Sequence, residues 1–226
     1  MKEPIKLYMI SGFLGAGKTT FLRHLLQDAK DERIGVIVNE FGSIGIDGKL
    51  IKSGNIDLVE INNGSIFCSC LKHGFVRTLK AFSEQPINTL VIENSGVADP
   101  TGMQGILKGL APYLDRPYEY QGAICLVDCT SFLDYYEVLL PVQNQIAVAD
   151  VILVNKTDLV DRATIEAIHA ILREANPEAV LLDTQYADVS IPTLRLTLTA
   201  RSAGKPGSAP AFIRPYTRTI VCREPQ

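Results

Sequence analysis

No apolar run in the 226-residue chain is longer than a buried strand needs, so no membrane-spanning helix is expected. Positive charge is not in surplus either. With 22 Lys and Arg against 25 Asp and Glu the formal net charge is -3, and no basic patch interrupts the body, so nucleic acid is not an expected partner. A secretory leader is missing too: Met1 to Ser11 pass directly into a strand-like run, from which we expect a cytoplasmic protein with reduced thiols. The five cysteines are then no disulfide framework. There is no internal repeat.

What is present is the material of one sizeable core, with 46% hydrophobic and 21% charged residues. Strand-like and helix-like stretches alternate, the pattern of a parallel sheet covered on both faces. The predicted strands are 5–11, 34–39, 56–61, 89–93, 121–127, 151–154 and 179–182. The predicted helices are 18–29, 73–84, 102–110, 131–138, 142–148 and 161–175. The last carries Ile165, Ile168, Ile171 and Leu172 on one face, with Asp161 as a cap before it and Asn176-Pro177 to stop it.

Gly12 to Thr19 read GFLGAGKT, placed between the apolar run Ile5 to Ile10 and a helical pattern of Phe21, Leu22, Leu25, Leu26 and Ala29. Glycines let such a loop curl until the amide N–H groups from about Gly15 through Ala16, Gly17 and Lys18 to Thr19 point inward, at a helix N-terminus whose partial charge is positive. That nest binds polyphosphate. Lys18 supplies a compact charge for the β and γ phosphates, the Thr19 hydroxyl is a Mg²⁺ ligand, and Thr20 completes the phosphate-binding run. The fold class is therefore α/β: a P-loop NTPase three-layer sandwich, its sheet mostly parallel with helices on both faces.

The base is read by a second string. Asn155 to Asp158 (NKTD) follow the apolar strand VILV, at the carboxyl end where open α/β sheets place ligands. The Asp158 carboxylate can accept from both N1 and N2 of guanine, whereas adenine has no donor at either place and leaves it facing an acceptor. With Asn155 and Lys156 beside it, the nucleotide expected is GTP or GDP with Mg²⁺.

Two further segments carry acids. Asn39 to Gly48 (NEFGSIGIDG) is too glycine-rich for a strand or helix and reads as a loop near the γ phosphate, with Glu40 and Asp47 as its carboxylates. Glu93 ends the strand Thr89 to Glu93, three residues before Gly96, where P-loop proteins hold the second shell of Mg²⁺ or orient the attacking water. The residues after Gly96 are Val97, Ala98 and Asp99. With no glutamine to orient water, intrinsic hydrolysis is expected to be slow.

In Asn62 to Cys70 (NNGSIFCSC), Cys68 and Cys70 stand two apart and project to the same side of an extended chain. Thiolates suit Zn²⁺ and other transition metals such as Co and Ni. Two ligands do not close a tetrahedral site; Glu40, Glu60, His73, water or a second copy of the chain are the open candidates for the rest. A lone histidine at 73 is more commonly solvated or a helix cap. Cys125 and Cys129 read as core and loop residues, and Cys222 has no partner in sequence.

Taken in order, SGFLGAGKTT, NEFG with GIDG, VEINNG leading into cysteine, VIENSGVADP and ADVILVNKTDLV resemble the CobW branch of the P-loop GTPases, which includes UreG and HypB. The resemblance runs from Lys6 to Pro177. It implies a GTPase that helps deliver a metal, or a metal-containing cofactor such as cobalamin, to a client metalloprotein or cofactor-assembly enzyme, with a homodimer among the allowed assemblies. By motif, Lys18 and Thr19 serve phosphate and Mg²⁺, Glu40 belongs to the first switch, Glu93 takes the Walker B position, and Asn155, Lys156 and Asp158 read guanine. Catalysis would then fall to Lys18, Glu93 and Glu40, and a transition metal to Cys68, Cys70 and Glu40. The chain departs from the family at Gly64, which is normally followed by Cys, any residue, Cys, Cys; here Ser65, Ile66, Phe67 and Cys68 follow, and only Cys68 falls on a family cysteine. Members also commonly carry a further carboxyl-terminal domain after a histidine-rich linker, for which the chain's three histidines and remaining length leave no room.

The organisation read from sequence is a GTPase domain at 1–188 and a basic tail, or the start of a second domain, at 189–226. The tail holds six Lys and Arg against one Glu, and Leu194, Leu196 and Leu198 alternate with polar residues as in a half-buried strand. Two other functions fit the motifs: a GTP switch that binds a protein partner without metal, and a P-loop kinase, which is disfavoured because no arginine-rich lid is present.

Overall fold

The computed structural model describes residues 2–29, 32–38, 56–60, 72–96 and 100–204. Its centre is a seven-stranded sheet of β1 (Ile5–Gly12), β2 (Ile34–Val38), β3 (Ile56–Glu60), β4 (Thr89–Glu93), β5 (Tyr118–Asp128), β6 (Val151–Asn155) and β7 (Val180–Asp183), in the order β3-β2-β4-β1-β5-β6-β7. All of its pairings are parallel. The strands of such a sheet are buried on both faces, and β2, β4 and β6 are buried at every position. That is why their sequences are continuous apolar runs and not alternating ones.

The helices are α1 (Lys18–Asp28), α2 (Lys72–Glu84), α3 (Met103–Leu110), α4 (Phe132–Tyr136), α5 (Leu140–Ala147), α6 (Arg162–Ala175) and α7 (Ile191–Gly204). Strand alternation sorts them onto two faces. Tyr8 and Ile10 of β1 share a cluster with Phe21, Leu22, Leu25 and Leu26 of α1 and with Ile191, Leu194 and Leu198 of α7. Leu7 and Met9 point the other way, into a cluster with Phe75, Leu79 and Phe82 of α2 and Met103 and Leu110 of α3. Farther along that second face, Val142 and Ile146 of α5 and Ile168 and Leu172 of α6 pack on Cys125, Ile152 and Val154. Helix, sheet, helix is the expected three-layer α/β sandwich. Asp161 caps α6 through Oδ1, which accepts from the Thr164 N–H at 2.8 Å. Among the described residues no helix is long and apolar enough to cross a membrane.

The strand expected over Leu194, Leu196 and Leu198 is instead α7. Ile191, Leu194 and Leu198 lie three and four residues apart and are buried, while Leu196 is 72% exposed. The short run of leucines fits either period, and contact with α1 and β5 selects the helical one. Arg195 adds an ion pair to Glu32 and lies over the Tyr8 ring, 5.8 Å from its centroid. Leu194→Ala should therefore destabilise the whole domain by about 2–4 kcal/mol, measured by urea unfolding, whereas a solvated segment would show no change.

Because the sheet is parallel, the carboxyl ends of β1, β4, β5, β6 and β7 open on one edge. The chain winds to one side of β1 for β2 and β3 and to the other for β5, β6 and β7, which makes β1 the switch point where such sheets bind ligands.

Candidate functional site: a nucleotide cradle at the carboxyl edge

The loop between β1 and α1 is curled by left-handed backbone at Gly15 (φ 79°) and Gly17 (φ 103°), and a turn from Ala16 N–H to the Phe13 carbonyl closes it at 3.2 Å. Gly17 stands immediately before the first turn of α1, so the helix's exposed N–H groups open onto the loop. A Cβ at Gly17 would sit 2.6 Å from Asn155 Nδ2, a contact only glycine allows. Beside Gly15 no described residue lies within 4 Å of such an atom. The Lys18 ammonium folds back over the loop and donates to the Phe13 carbonyl at 3.2 Å.

Across the sheet edge, Ile10 pairs with Glu93, and Thr19 Oγ1 donates to Glu93 Oε1 at 3.5 Å, a loose contact between two hard oxygen donors. Glu93 is only 5% exposed. A buried carboxylate facing a hydroxyl at the mouth of a phosphate loop fits Mg²⁺, which prefers oxygen and keeps much of its water. The turn after β4 is drawn onto the loop. A Cβ at Gly96 would lie 2.7 Å from Leu14 N, and Gln145 of α5 donates Nε2 to the Gly96 carbonyl at 3.1 Å.

Asn155 is the joint of the site. Its buried amide donates to the Ala16 carbonyl at 2.9 Å, while its Oδ1 accepts from Ala187 N at 2.8 Å and Thr184 Oγ1 at 3.1 Å. One side chain thus ties the phosphate loop to the segment after β7. Thr157 reinforces the joint, its N–H and hydroxyl both reaching the Thr184 carbonyl. Asp158 stands exposed at the rim. Lys156, with φ 64°, pairs with Asp128 at the end of β5, Nζ to Oδ2 at 2.6 Å.

Burial pushes the Asp128 carboxyl up, but the bonds from Lys156 and Thr130 together outweigh it and hold the group below the usual carboxylate value. Its folded pKa is then below the unfolded one of about 3.9, so the stability it adds is complete above that pH and is lost as pH falls through the lower folded value. Asp128→Asn should cost about 1–2 kcal/mol at pH 7, and the difference from the unsubstituted protein in urea melts should shrink as the pH falls below the unfolded carboxylate value. Burial raises the Cys125 thiol to about 12 and the Cys129 thiol to about 11. Both stay protonated at neutral pH and are poor metal ligands.

The structure thus brings Gly15, Ala16, Gly17, Lys18, Thr19, Thr20, Glu93, Asn155, Lys156 and Asp158 to one edge. Glu40, Asp47, Cys68 and Cys70 lie outside the described residues, as do the side chains of Glu60 and His73. Among the described residues no group of three or more His, Cys, Asp or Glu is disposed to hold a metal ion. Sequence reasoning missed Asp128, Gln145, Thr184 and Ala187. Asp128 and Thr184 sit where β5 and β7 run out, a position that marks residues at the ligand edge of a parallel sheet.

Residues 6–183 match the CobW/HypB/UreG nucleotide-binding domain. The chain belongs to that family. The zinc chaperone YjiA of Escherichia coli (strain K12) is 33% identical over 194 residues, an alignment covering 84% of this chain and 60% of YjiA. The zinc chaperone CobW of a Sinorhizobium species is 32% identical over 190 residues, covering 71% of this chain and 53% of the relative. The crystal structure of Zn(II)-bound YjiA superposes with a TM-score of 0.65 at 29% identity, over 88% of this chain and 63% of that one. The chain spans about half the length of the curated relatives it matches, from 46% to 60%.

Proposed function

We propose that this protein binds GTP with Mg²⁺, hydrolyses it slowly, and couples the nucleotide state to delivery of a transition metal or a cobalamin-type metallocofactor to a client metalloprotein or assembly enzyme in the cytoplasm. The observation that carries the nucleotide half is the Asn155 amide, which fastens the loop bearing Lys18 and Thr19 to the strand end bearing Asp158. Phosphate-binding and base-reading elements are thereby tied to one another through a buried hydrogen bond. Lys18 places positive charge at the β and γ phosphates, and Asp158 selects guanine by accepting from N1 and N2. Thr19 and Glu93 would hold Mg²⁺, which supplies neutralisation of charge on the phosphate oxygens. Glu93, held at the mouth of the loop, and Glu40 are the carboxylates assigned to orient water. Val97, Ala98 and Asp99 offer no amide for that task, which is why turnover is slow.

The metal half is supported by the relatives that are named zinc chaperones and by the Cys68-Ser69-Cys70 pair near Glu40 in the motif order. Zn²⁺ is the first candidate, with Co and Ni as the others. Titration of Zn²⁺ or Co²⁺ into the protein with and without GTP and Mg²⁺ tests it. Stoichiometric binding should depend on the nucleotide and be lost in the Cys68→Ser plus Cys70→Ser double variant. Affinity indifferent to both would overturn metal delivery and leave a GTP switch acting on a protein partner alone.

A further inference from the structure

Alternation along β4 turns Val91 and Glu93 toward α1 and Leu90 and Ile92 toward the opposite face, where they pack with α2 and α3. Asn94 is the next residue on that second face, and there the apolar pattern breaks. It is 0% exposed, yet neither its Nδ2 nor its Oδ1 has a hydrogen-bond partner among the described residues, and the adjacent Ser95 Oγ, on a residue 3% exposed, has none either. A carboxamide taken out of water and left unpaired costs free energy, and native structures keep few such groups. Packing does not explain this one, since an apolar side chain would suit the face better.

The backbone around it is held from both sides. The Asn94 N–H donates to the Ile10 carbonyl at 2.9 Å, Gln145 of α5 donates to the Gly96 carbonyl at 3.1 Å, and Gly96 lies so close to Leu14 N of the phosphate loop that a Cβ would not fit. The residue immediately before is Glu93, whose contact with Thr19 is a loose 3.5 Å. A ligand that repositions Glu93 therefore moves its chain neighbour Asn94 as well. We infer that Asn94 is a positioning residue for the GTP reaction: the turn 94–96 has a second arrangement in which the carboxamide is paired, and binding of the γ phosphate, by repositioning Glu93, favours it. Without nucleotide the turn rests as described here and bears the cost of the unpaired amide. The free energy recovered on pairing then adds to the binding of GTP and not of GDP, because only a ligand with differential affinity for the two arrangements shifts them. Asn94 itself touches neither phosphate nor metal; it acts through Glu93.

The inference rests on the GTP-binding reading, and the two fail differently. Asn94→Leu keeps the approximate shape of the side chain and removes its polar atoms, and Asn94→Ala removes both. In the full 226-residue protein without nucleotide, Asn94→Leu should unfold at the same urea concentration as the unsubstituted protein or a higher one, because an orphaned amide is gone. By equilibrium titration with Mg²⁺, each variant should bind a non-hydrolysable GTP analogue about tenfold more weakly while GDP stays within about twofold. A ratio of analogue to GDP affinity unchanged in both variants would overturn the proposal, and a loss of stability beside it would show a carboxamide paired in every arrangement, as by a buried water. Equal weakening of analogue and GDP would also overturn it, leaving Asn94 a structural role only. In either case a protein that still prefers GDP to ADP keeps the GTP reading. If the unsubstituted protein does not prefer GDP to ADP, the GTP reading fails and the proposal with it.

Discussion

Asn155→Ala is expected to lower the unfolding free energy by about 2–4 kcal/mol and to weaken GDP at least tenfold, because it strips partners from buried groups in three places at once. The Ala16 carbonyl loses its donor, and the Ala187 N–H and Thr184 hydroxyl lose their common acceptor. Each is then left in a region where Asn155 itself is 2% exposed. Such groups cost more when orphaned than the original bond contributed. The phosphate loop and the segment after β7 would no longer share an anchor, so affinity and stability should fall together. Asp158→Ala provides the contrast. Its side chain is exposed at the rim, and its removal should leave stability within about 0.5 kcal/mol while erasing the preference for guanine. Chemical denaturation and GDP titration on both variants check this, and an Asn155→Ala protein of unchanged stability would contradict the joint.

Lys18→Ala should reduce GTP turnover by about 10² to 10³, the range seen when one preorganised donor is removed from developing charge. Lys18 rests on the Phe13 carbonyl at 3.2 Å, one residue beyond β1, and so stands directly at the curled loop. The binding of GDP, which lacks the γ phosphate, should suffer less than turnover. Single-turnover hydrolysis at saturating GTP separates the two effects. Turnover within about twofold of the unsubstituted protein would remove Lys18 from the chemistry.

Much of this site was legible because its signals are local. A glycine loop between an apolar run and a helical pattern, and a polar string after another apolar run, need no tertiary knowledge to be placed. The strands were legible because parallel strands buried on both faces are written as unbroken apolar runs, as in Val151 to Val154. What escaped was set by long-range contact. Leu194, Leu196 and Leu198 satisfy a period of two over a few residues, and only packing on α1 and β5 makes Leu194 and Leu198 inward and Leu196 outward. The bond of Gln145 to Gly96 spans 49 positions, and that of Asn155 to Ala187 spans 32. No window of sequence holds both partners. Asn155 was assigned to guanine by its motif; its amide is engaged with Ala16, Thr184 and Ala187, a task invisible until strand order puts β1, β6 and β7 on one edge.

The central claim is that phosphate loop and base-reading strand end form one guanine-nucleotide site. Parallel hydrolysis and equilibrium binding of GTP and ATP by the full chain, each with Mg²⁺ at equal concentration, test it most directly. The account predicts slow, Mg²⁺-dependent turnover of GTP and a preference for GTP over ATP of at least about a hundredfold, since a site that pairs polar groups rejects a base that cannot pair them. ATP bound or hydrolysed as well as GTP would contradict it.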